Sequence, residues 1–103
     1  MNRVGLTASV VEREPLRWTP AGVPMVGLRL VHRSVQSEAG AQRAVELELA
    51  AVAADGVALR IDRVALGTEL RLEGFLAPRR RSARTLVLHV TGFEFNDIDR
   101  KDP

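Results

Sequence analysis

PMVGLRLVHRSVQSEAG, residues 24–40, is the stretch that decides how the rest of the chain is interpreted. In its first half apolar residues recur at every second position, which places Val26, Leu28 and Leu30 on one side. An alternation of period two is typical of a β-strand that buries one of its faces. The stretch therefore predicts a half-buried strand that begins near Pro24.

The second half of the same stretch is polar. We expect the strand to end near His32 and Arg33, with His32 on the buried side and Arg33 on the opposite face. Residues 34–40 are rich in Ser, Gln, Glu and Gly, which favours an exposed hairpin tip. Because the alternation resumes after Arg43, the stretch predicts two strands joined by a polar tip.

Four further stretches alternate in the same way, at residues 3–13, 44–52, 68–76 and 85–95. Between the third and fourth of the five predicted strands, residues 55–64 fit a short helix capped by Asp55 and a turn equally well. The connection after the first strand contains Thr-Pro-Ala-Gly at 19–22, which predicts a turn. Five strands with a short insertion indicate an all-β fold, a five-stranded OB-fold or Greek-key barrel; a small sandwich or an SH3-like barrel gives a similar pattern.

The composition limits the class of protein. The chain has 103 residues, of which 46% are hydrophobic and 27% charged, and this suits one domain. We expect an OB-fold domain at 1–96 and a charged tail at 97–103. Cysteine is absent, which excludes disulfides and thiolate metal sites. We find no leader, no apolar run of membrane length and no catalytic or metal-ligand motif, so we expect a soluble protein that is not an enzyme and has no metal or cofactor.

Arginines are unevenly distributed along the chain. The formal net charge is only +2, yet four arginines lie within residues 78–85, between the last two predicted strands. OB-folds use the loop at this place to bind oligonucleotides, and a positive groove for phosphates is one requirement for binding a single strand. A solvated loop is the alternative. The nucleic-acid-binding residues predicted from this pattern and its neighbourhood are Arg13, Arg17, Trp18, Arg33, Arg43, Arg79, Arg80, Arg81 and Arg84.

Five short segments, spread over nearly the whole chain, together resemble the sequence of a known family. They are REPLR at 13–17, PAGVP at 20–24, HRSVQSEAG at 32–40, GFL at 74–76 and LVLH at 86–89. Together they resemble the family of primosomal replication protein N, known as PriB. The resemblance implies a homodimeric OB-fold akin to single-strand DNA-binding protein. It also implies a bacterial, cytoplasmic protein that binds single-stranded DNA and works with the PriA helicase and DnaT when stalled replication forks are restarted, without enzymatic activity.

Aromatic residues are scarce for a protein that stacks bases. The chain has one Trp, three Phe and no Tyr, and the aromatics that the family carries in and after the second hairpin are replaced by Ala41 and Glu46. We therefore expect DNA binding driven mainly by phosphate contacts and steeply dependent on salt. Trp18 fits base stacking and a role covering one end of the barrel equally well. The three Phe residues and both His residues are expected to serve the core, an interface or the strand structure.

The first predicted strand is a candidate for dimerisation. After Arg3 it has no charge or proline until Glu12, and natural proteins pair or cover such an edge. Pairing with a symmetry mate achieves this, and the resemblance implies that arrangement. The predicted dimer-interface residues are Val4, Leu6, Ala8 and Val10.

Two alternatives to the DNA-binding interpretation stay open. In the first, the protein is mainly a primosome adaptor whose arginines dock an acidic or DNA-bound helicase surface, and its DNA binding is weak and phosphate-driven. In the second, it is an RNA-binding OB module, which a preference for RNA over DNA of equal length would indicate.

Overall fold

The computed structural model describes residues 1–96, and the predicted charged tail at 97–103 lies outside the described residues. Within residues 1–96 the chain forms six strands and one helix. In chain order these are β1 (Val4–Arg13), β2 (Arg17–Trp18), β3 (Pro24–Glu38), β4 (Ala41–Ala54), α1 (Asp55–Ile61), β5 (Glu69–Pro78) and β6 (Leu86–Phe95).

Five of the strands close into a barrel. The hydrogen-bonded order of all six strands is β1-β5-β6-β4-β3-β2, and β1 also pairs with β3, which closes the barrel of β1, β3, β4, β5 and β6. The pairing of β4 with β6 is parallel, whereas the other pairings are antiparallel. This topology confirms the predicted five-stranded OB-fold. β2 is an extra strand of two residues beside the start of β3, and it is too short to show an alternation in the sequence.

The barrel is filled by the apolar positions of the alternating strands and of α1. The largest fully buried side chains are Leu30, Ile61, Leu70, Leu72, Leu88, Val10 and Val26. Burying one aliphatic side chain of this size contributes about 1.5 to 3 kcal/mol. The strands are therefore held together mainly by a single apolar core at the barrel axis.

The segment between β4 and β5 forms a helix rather than a turn. α1 buries Ala58 and Ile61 against the barrel. The predicted cap at Asp55 is wrong, because β4 extends to Ala54, which is the N-cap and makes no side-chain cap bond. Asp55 is instead the first helical residue, with a φ of 62° at the sharp junction. No helix within residues 1–96 is long and apolar enough to cross a membrane.

β3 and β4 form a longer hairpin than the sequence predicts. The expected strand end near His32 is wrong, since β3 continues to Glu38 and β4 already begins at Ala41. The turn consists of Ala39 and Gly40, with φ values of 52° and 79°. Two consecutive positive φ values are typical of the tight two-residue turn that matches the twist of a hairpin. The polar residues before the turn join the ladder because this part of the hairpin is largely exposed and requires no apolar alternation.

The register between β5 and β6 shifts between Glu73 and Gly74. A Cβ atom on Gly74 would lie 2.0 Å from the carbonyl oxygen of His89, so only glycine lets the two backbones approach this closely. Beyond the shift, Phe75 lies directly opposite His89. Gly74 thus determines which side chains face each other on these two strands.

β1 has a neighbouring strand on both sides over only part of its length. Residues Val4 to Ser9 pair with β5, whereas pairing with β3 begins at Ser9. Of the predicted dimer-interface residues, Ala8 and Val10 are 1% and 0% exposed and belong to the core, whereas Val4 and Leu6 are partly buried. Before Ser9, the side of β1 that faces away from β5 has no strand partner among the described residues.

Candidate nucleic-acid interface

The segment between β5 and β6, residues 79–85, is here named the arginine loop. Its backbone is closed by a bond in which the Arg79 N–H donates to the Thr85 carbonyl oxygen, at 2.8 Å. The side chains of Arg79, Arg80, Arg81 and Arg84 are all exposed. Among residues 1–96, no ion pair or side-chain hydrogen bond involves any of these four guanidinium groups. Within the described residues, the loop therefore presents four positive charges that have no acidic partner.

Arg79 also lines an open cavity of about 250 Å³ between the end of β1, β3 and β4. Three further arginines line it, namely Arg13, Arg17 and Arg29, together with Glu12 and Glu14. Small apolar residues, Ala50, Val52 and Val87, contribute to its wall. A cleft with an apolar wall and a guanidinium-rich rim can hold a sugar or base beside a bound phosphate.

Arg13 is committed to the fold. Its Nη1 donates to the carbonyl oxygen of Val64 at 2.5 Å and to that of Ile61 at 3.3 Å, just beyond the end of α1. Its Nε lies 3.6 Å from Oδ1 of Asp62, and the side chain is only 21% exposed. Because these bonds satisfy carbonyl groups at and just after the end of α1, Arg13 links the end of β1 to the end of the helix, and its guanidinium is already used within the fold.

Arg17 and Trp18 form β2, beside Met25 and Pro24. The turn predicted at 19–22 is confirmed, because the Gly22 N–H donates to the Thr19 carbonyl oxygen at 2.8 Å. Trp18 is 60% exposed, so it does not close the end of the barrel as a buried plug. Arg17 lines the same cavity as Arg79, which brings the first connection and the arginine loop to one end of the barrel.

The outer part of the β3–β4 hairpin, residues 32–48, is named the protruding hairpin, and its arginines are paired with acids. Arg33 forms an ion pair with Glu46, its cross-strand partner, and Arg43 lies 3.3 Å from Glu38. All four side chains are at least 65% exposed, so these pairs stabilise the hairpin only slightly. Each pair nevertheless places a carboxylate beside a predicted DNA-binding arginine, which reduces the net positive charge of this segment. Arg33 and Arg43 thus differ from the four arginines of the arginine loop.

His32 connects the protruding hairpin to β1. Its Nδ1 lies 2.7 Å from the carbonyl oxygen of Thr7, and since a carbonyl oxygen can only accept, Nδ1 is the donor. Its Nε2 lies 2.8 Å from Oγ of Ser34. His32 is partly buried, and Arg33 is exposed on the opposite face, as the alternation predicts. The bonds fit the expected structural role of this histidine.

An aromatic pair on the outer face of β5 and β6 escaped the sequence reasoning. The rings of Phe75 and His89 are stacked, with centroids 4.8 Å apart and an angle of 6° between their planes. A signal was present, since the alternation places Phe75 on the same side as Glu69, Arg71 and Glu73 rather than with the core residues. What the sequence could not show is that the strand register brings His89 to it.

Comparisons with known proteins agree with this geometry. Residues 2–92 match the model of a family described as another single-strand binding protein family. The replication restart protein PriB of Bordetella pertussis is 46% identical over 90 residues, which cover 87% of this chain and 84% of that protein. The chain belongs to the PriB family. The solved structure of PriB from Ralstonia solanacearum matches it with a TM-score of 0.83 at 43% identity, over 92% of this chain and 97% of that one.

The PriB family shares its barrel with single-stranded DNA-binding proteins. The protein from Thermus aquaticus matches this chain with a TM-score of 0.74 at 19% identity, over 96% of this chain and 52% of that one. An identity this low shows the shared fold alone. PriB-family membership therefore rests on the closer relatives, and the more distant structure indicates that an OB-fold is common to both groups.

Proposed function

We propose that this member of the PriB family is a single-stranded DNA-binding accessory protein of replication restart in the bacterial cytoplasm. It binds DNA at the end of the barrel formed by the arginine loop and the first connection, and it presents that DNA to the PriA helicase and DnaT. It acts by binding alone, without catalysis or a cofactor. The observation that carries the proposal is the group of four arginines that have no acidic partner among residues 1–96.

The physical argument is one of charge and shape. A flexible single strand has phosphates at close spacing, and guanidinium groups bind them through short, charge-assisted hydrogen bonds. Arg79 joins the loop to a cavity that Arg17 also lines, so these two arginines, which have no ion pair among residues 1–96, extend the binding surface from the loop onto the barrel, beside Glu12 and Glu14. Such a surface binds with little sequence preference, because the backbone is the same at every nucleotide.

The test is fluorescence anisotropy with a labelled thymidine oligonucleotide over a series of salt concentrations. One variant carries alanine at Arg79, Arg80, Arg81 and Arg84. For a single strand, each phosphate contact contributes about 0.7 to the slope of log K against log salt. The four substitutions should therefore reduce the slope by up to about 2.8 and weaken binding at low salt by at least about tenfold.

A double variant, Arg60→Ala with Arg63→Ala, serves as the control, because it removes exposed positive charge from α1 and the turn after it. Its slope should match that of the wild type. The proposal fails if the wild type ignores the oligonucleotide at low salt, or if the loop variant keeps the full slope. If a uridine oligonucleotide of the same length binds more tightly than the thymidine one, the ligand is RNA rather than DNA.

A second candidate function is a primosome adaptor with only weak, phosphate-driven DNA binding. The observation in its favour is the protruding hairpin, whose two arginines are paired and which carries three glutamates. Such a surface suits a protein partner better than a phosphate backbone. If PriA or DnaT binds the wild type and DNA does not, the adaptor is the main function, and the loop variant then shows whether the arginine loop or the protruding hairpin docks the partner.

We also propose that the protein forms a homodimer through the open edge of β1. The carbonyl oxygen of Thr7 points to the β3 side, where His32 binds it. Backbone groups two residues apart in a strand point the same way, so those of Gly5 also face the open side. Light scattering should give the mass of a dimer, and Gly5→Pro, which removes one edge donor, should shift it toward the monomer with an unchanged circular dichroism spectrum. A monomeric wild type would contradict this arrangement.

A further inference from the structure

The stacked pair of Phe75 and His89 lies outside the core of the barrel. Both side chains lie on the outer face of the sheet, opposite to the face that carries Leu72 and Leu88. Phe75 is 39% exposed and is therefore only partly covered by its neighbour. A parallel aromatic stack at a centroid distance of 4.8 Å offers a flat, rigid surface for another planar group.

A second open cavity, of about 310 Å³, lies beside this pair. Its other walls come from Met25 of β3, Val52 of β4 and Val57 of α1, with Thr91 as the one hydroxyl side chain. No Asp, Glu, Lys or Arg side chain lines it. The cavity thus combines an apolar interior, an aromatic wall and a single hydroxyl group, which suits a planar heterocycle rather than a phosphate.

The two cavities adjoin at Val52. Val52 lines both the arginine-rimmed cavity and the one beside His89. A guanidinium surface for phosphates therefore adjoins an aromatic surface for bases, and single-stranded DNA offers both groups in every nucleotide. An aliphatic protein segment would fill the second cavity alone, without making use of the neighbouring positive charge.

We propose that Phe75 and His89 form a nucleobase-stacking subsite of the DNA-binding surface. One base of the strand lies against the aromatic pair, and its flanking phosphates run toward Arg79 and Arg17. The subsite rests on the proposed DNA-binding function and deepens it, because it supplies base contacts that the aromatic-poor hairpin lacks. Stacking of this kind tolerates every base, since each has a flat π-face.

The experiment compares two labelled oligonucleotides of equal length and charge, one of thymidines and one with abasic sites in place of the bases. The wild type should bind the thymidine strand more tightly by roughly 5- to 150-fold per stacked base. In the double variant Phe75→Leu with His89→Leu, which keeps an apolar cross-strand pair, this preference should largely disappear. The salt slope should stay unchanged, because no phosphate contact is removed.

Phe95→Leu is the matched control. Phe95 is 51% exposed on the same strand pair as Phe75, but it lies opposite the buried Leu70 and so belongs to the other face of the sheet. This variant should retain the preference for bases. If it loses the preference to the same extent as the double variant, or if the double variant binds both strands as the wild type does, the subsite is refuted.

The outcomes for the subsite and for DNA binding are separable. A wild type that binds thymidine and abasic strands equally, with a steep salt slope, keeps the DNA-binding function and overturns the subsite. A wild type that binds neither overturns both. Should the double leucine variant not fold, the imidazole proton signals of His89 in the wild type decide the question. They should shift when the thymidine strand is added and stay in place with the abasic strand, and equal shifts would overturn the proposal.

Discussion

The protruding hairpin and the arginine loop both carry arginines, but only those of the loop lack an acidic partner among the described residues. In the hairpin, Arg33 and Arg43 each lie against a glutamate. In the loop, four arginines occur within six residues and no acid lies between them. The difference teaches that the number of arginines in a segment says little about its affinity for phosphate, because neighbouring carboxylates decide how much of the charge is available.

The cause of the difference is strand pairing. A residue in a hairpin has a fixed cross-strand neighbour, and the register places Arg33 opposite Glu46. Opposite charges at such positions attract and help to hold the register. The arginine loop lies between two strands rather than within them, so its side chains have no imposed partner. The same residue type therefore serves folding in one region and is available for binding in the other.

The largest expected effect comes from giving the loop the composition of the hairpin. Arg80→Glu with Arg81→Glu leaves two arginines and two acids in the loop, a change of four charge units. We expect DNA affinity at low salt to fall by about two orders of magnitude, because repulsion replaces two phosphate contacts. Anisotropy with the thymidine oligonucleotide measures this. A loss of affinity of less than threefold would mean that the arginine loop contributes no more to DNA binding than the hairpin does.

A second change tests whether the close approach of β5 and β6, the strands that carry the arginine loop, stabilises the barrel. Gly74→Ala introduces a Cβ atom 2.0 Å from a backbone oxygen of β6. We expect the free energy of unfolding to fall by about 2 kcal/mol, since backbone atoms at such a contact must move apart. Chemical denaturation followed by circular dichroism checks this. Gly92→Ala is the control, because no heavy atom lies within 4 Å of its added Cβ, and equal losses for both variants would contradict the account.

The smallest expected effect comes from removing the acidic partners of the two hairpin arginines, so that these arginines resemble those of the loop. Glu38→Gln with Glu46→Gln removes the acids that face Arg43 and Arg33. DNA affinity should rise by about threefold to tenfold, and the salt slope should steepen by up to about 1.4. Stability should change by less than about 1 kcal/mol, because exposed ion pairs contribute little. An unchanged affinity would place the hairpin outside the path of the DNA.

Most of the fold could be predicted from the sequence. Alternation along the five strands indicated the barrel, since a period of two is imposed wherever one face of a strand is buried. The predicted ends of the hairpin strands were wrong for the same reason, because the exposed hairpin has no such requirement. Asp55 was predicted as a possible cap because Asp is common at the N-cap position of helices. In the structure β4 extends to Ala54, so Ala54 occupies the N-cap position and Asp55 is the first helical residue.

The candidate site could be predicted only in part. The arginine loop is a local feature, and its position between two strands was evident from the sequence. Arg13 has the same side chain, yet it bonds carbonyl groups at positions 61 and 64, which no local pattern reveals. Phe75 was visible as an outward-facing residue, but its stacking on His89 depends on the register shift at Gly74.

By itself, the sequence determined which segments contribute the five barrel strands, which of their faces are buried and where the cluster of arginines without an acid lies. These properties depend on the order of neighbouring residues, so they can be recognised before the chain folds. The tertiary structure alone decided which arginines are compensated, which one holds the helix and which aromatic rings meet. Those contacts join residues far apart in the chain, and strand register, a cooperative property of the whole barrel, brings them together.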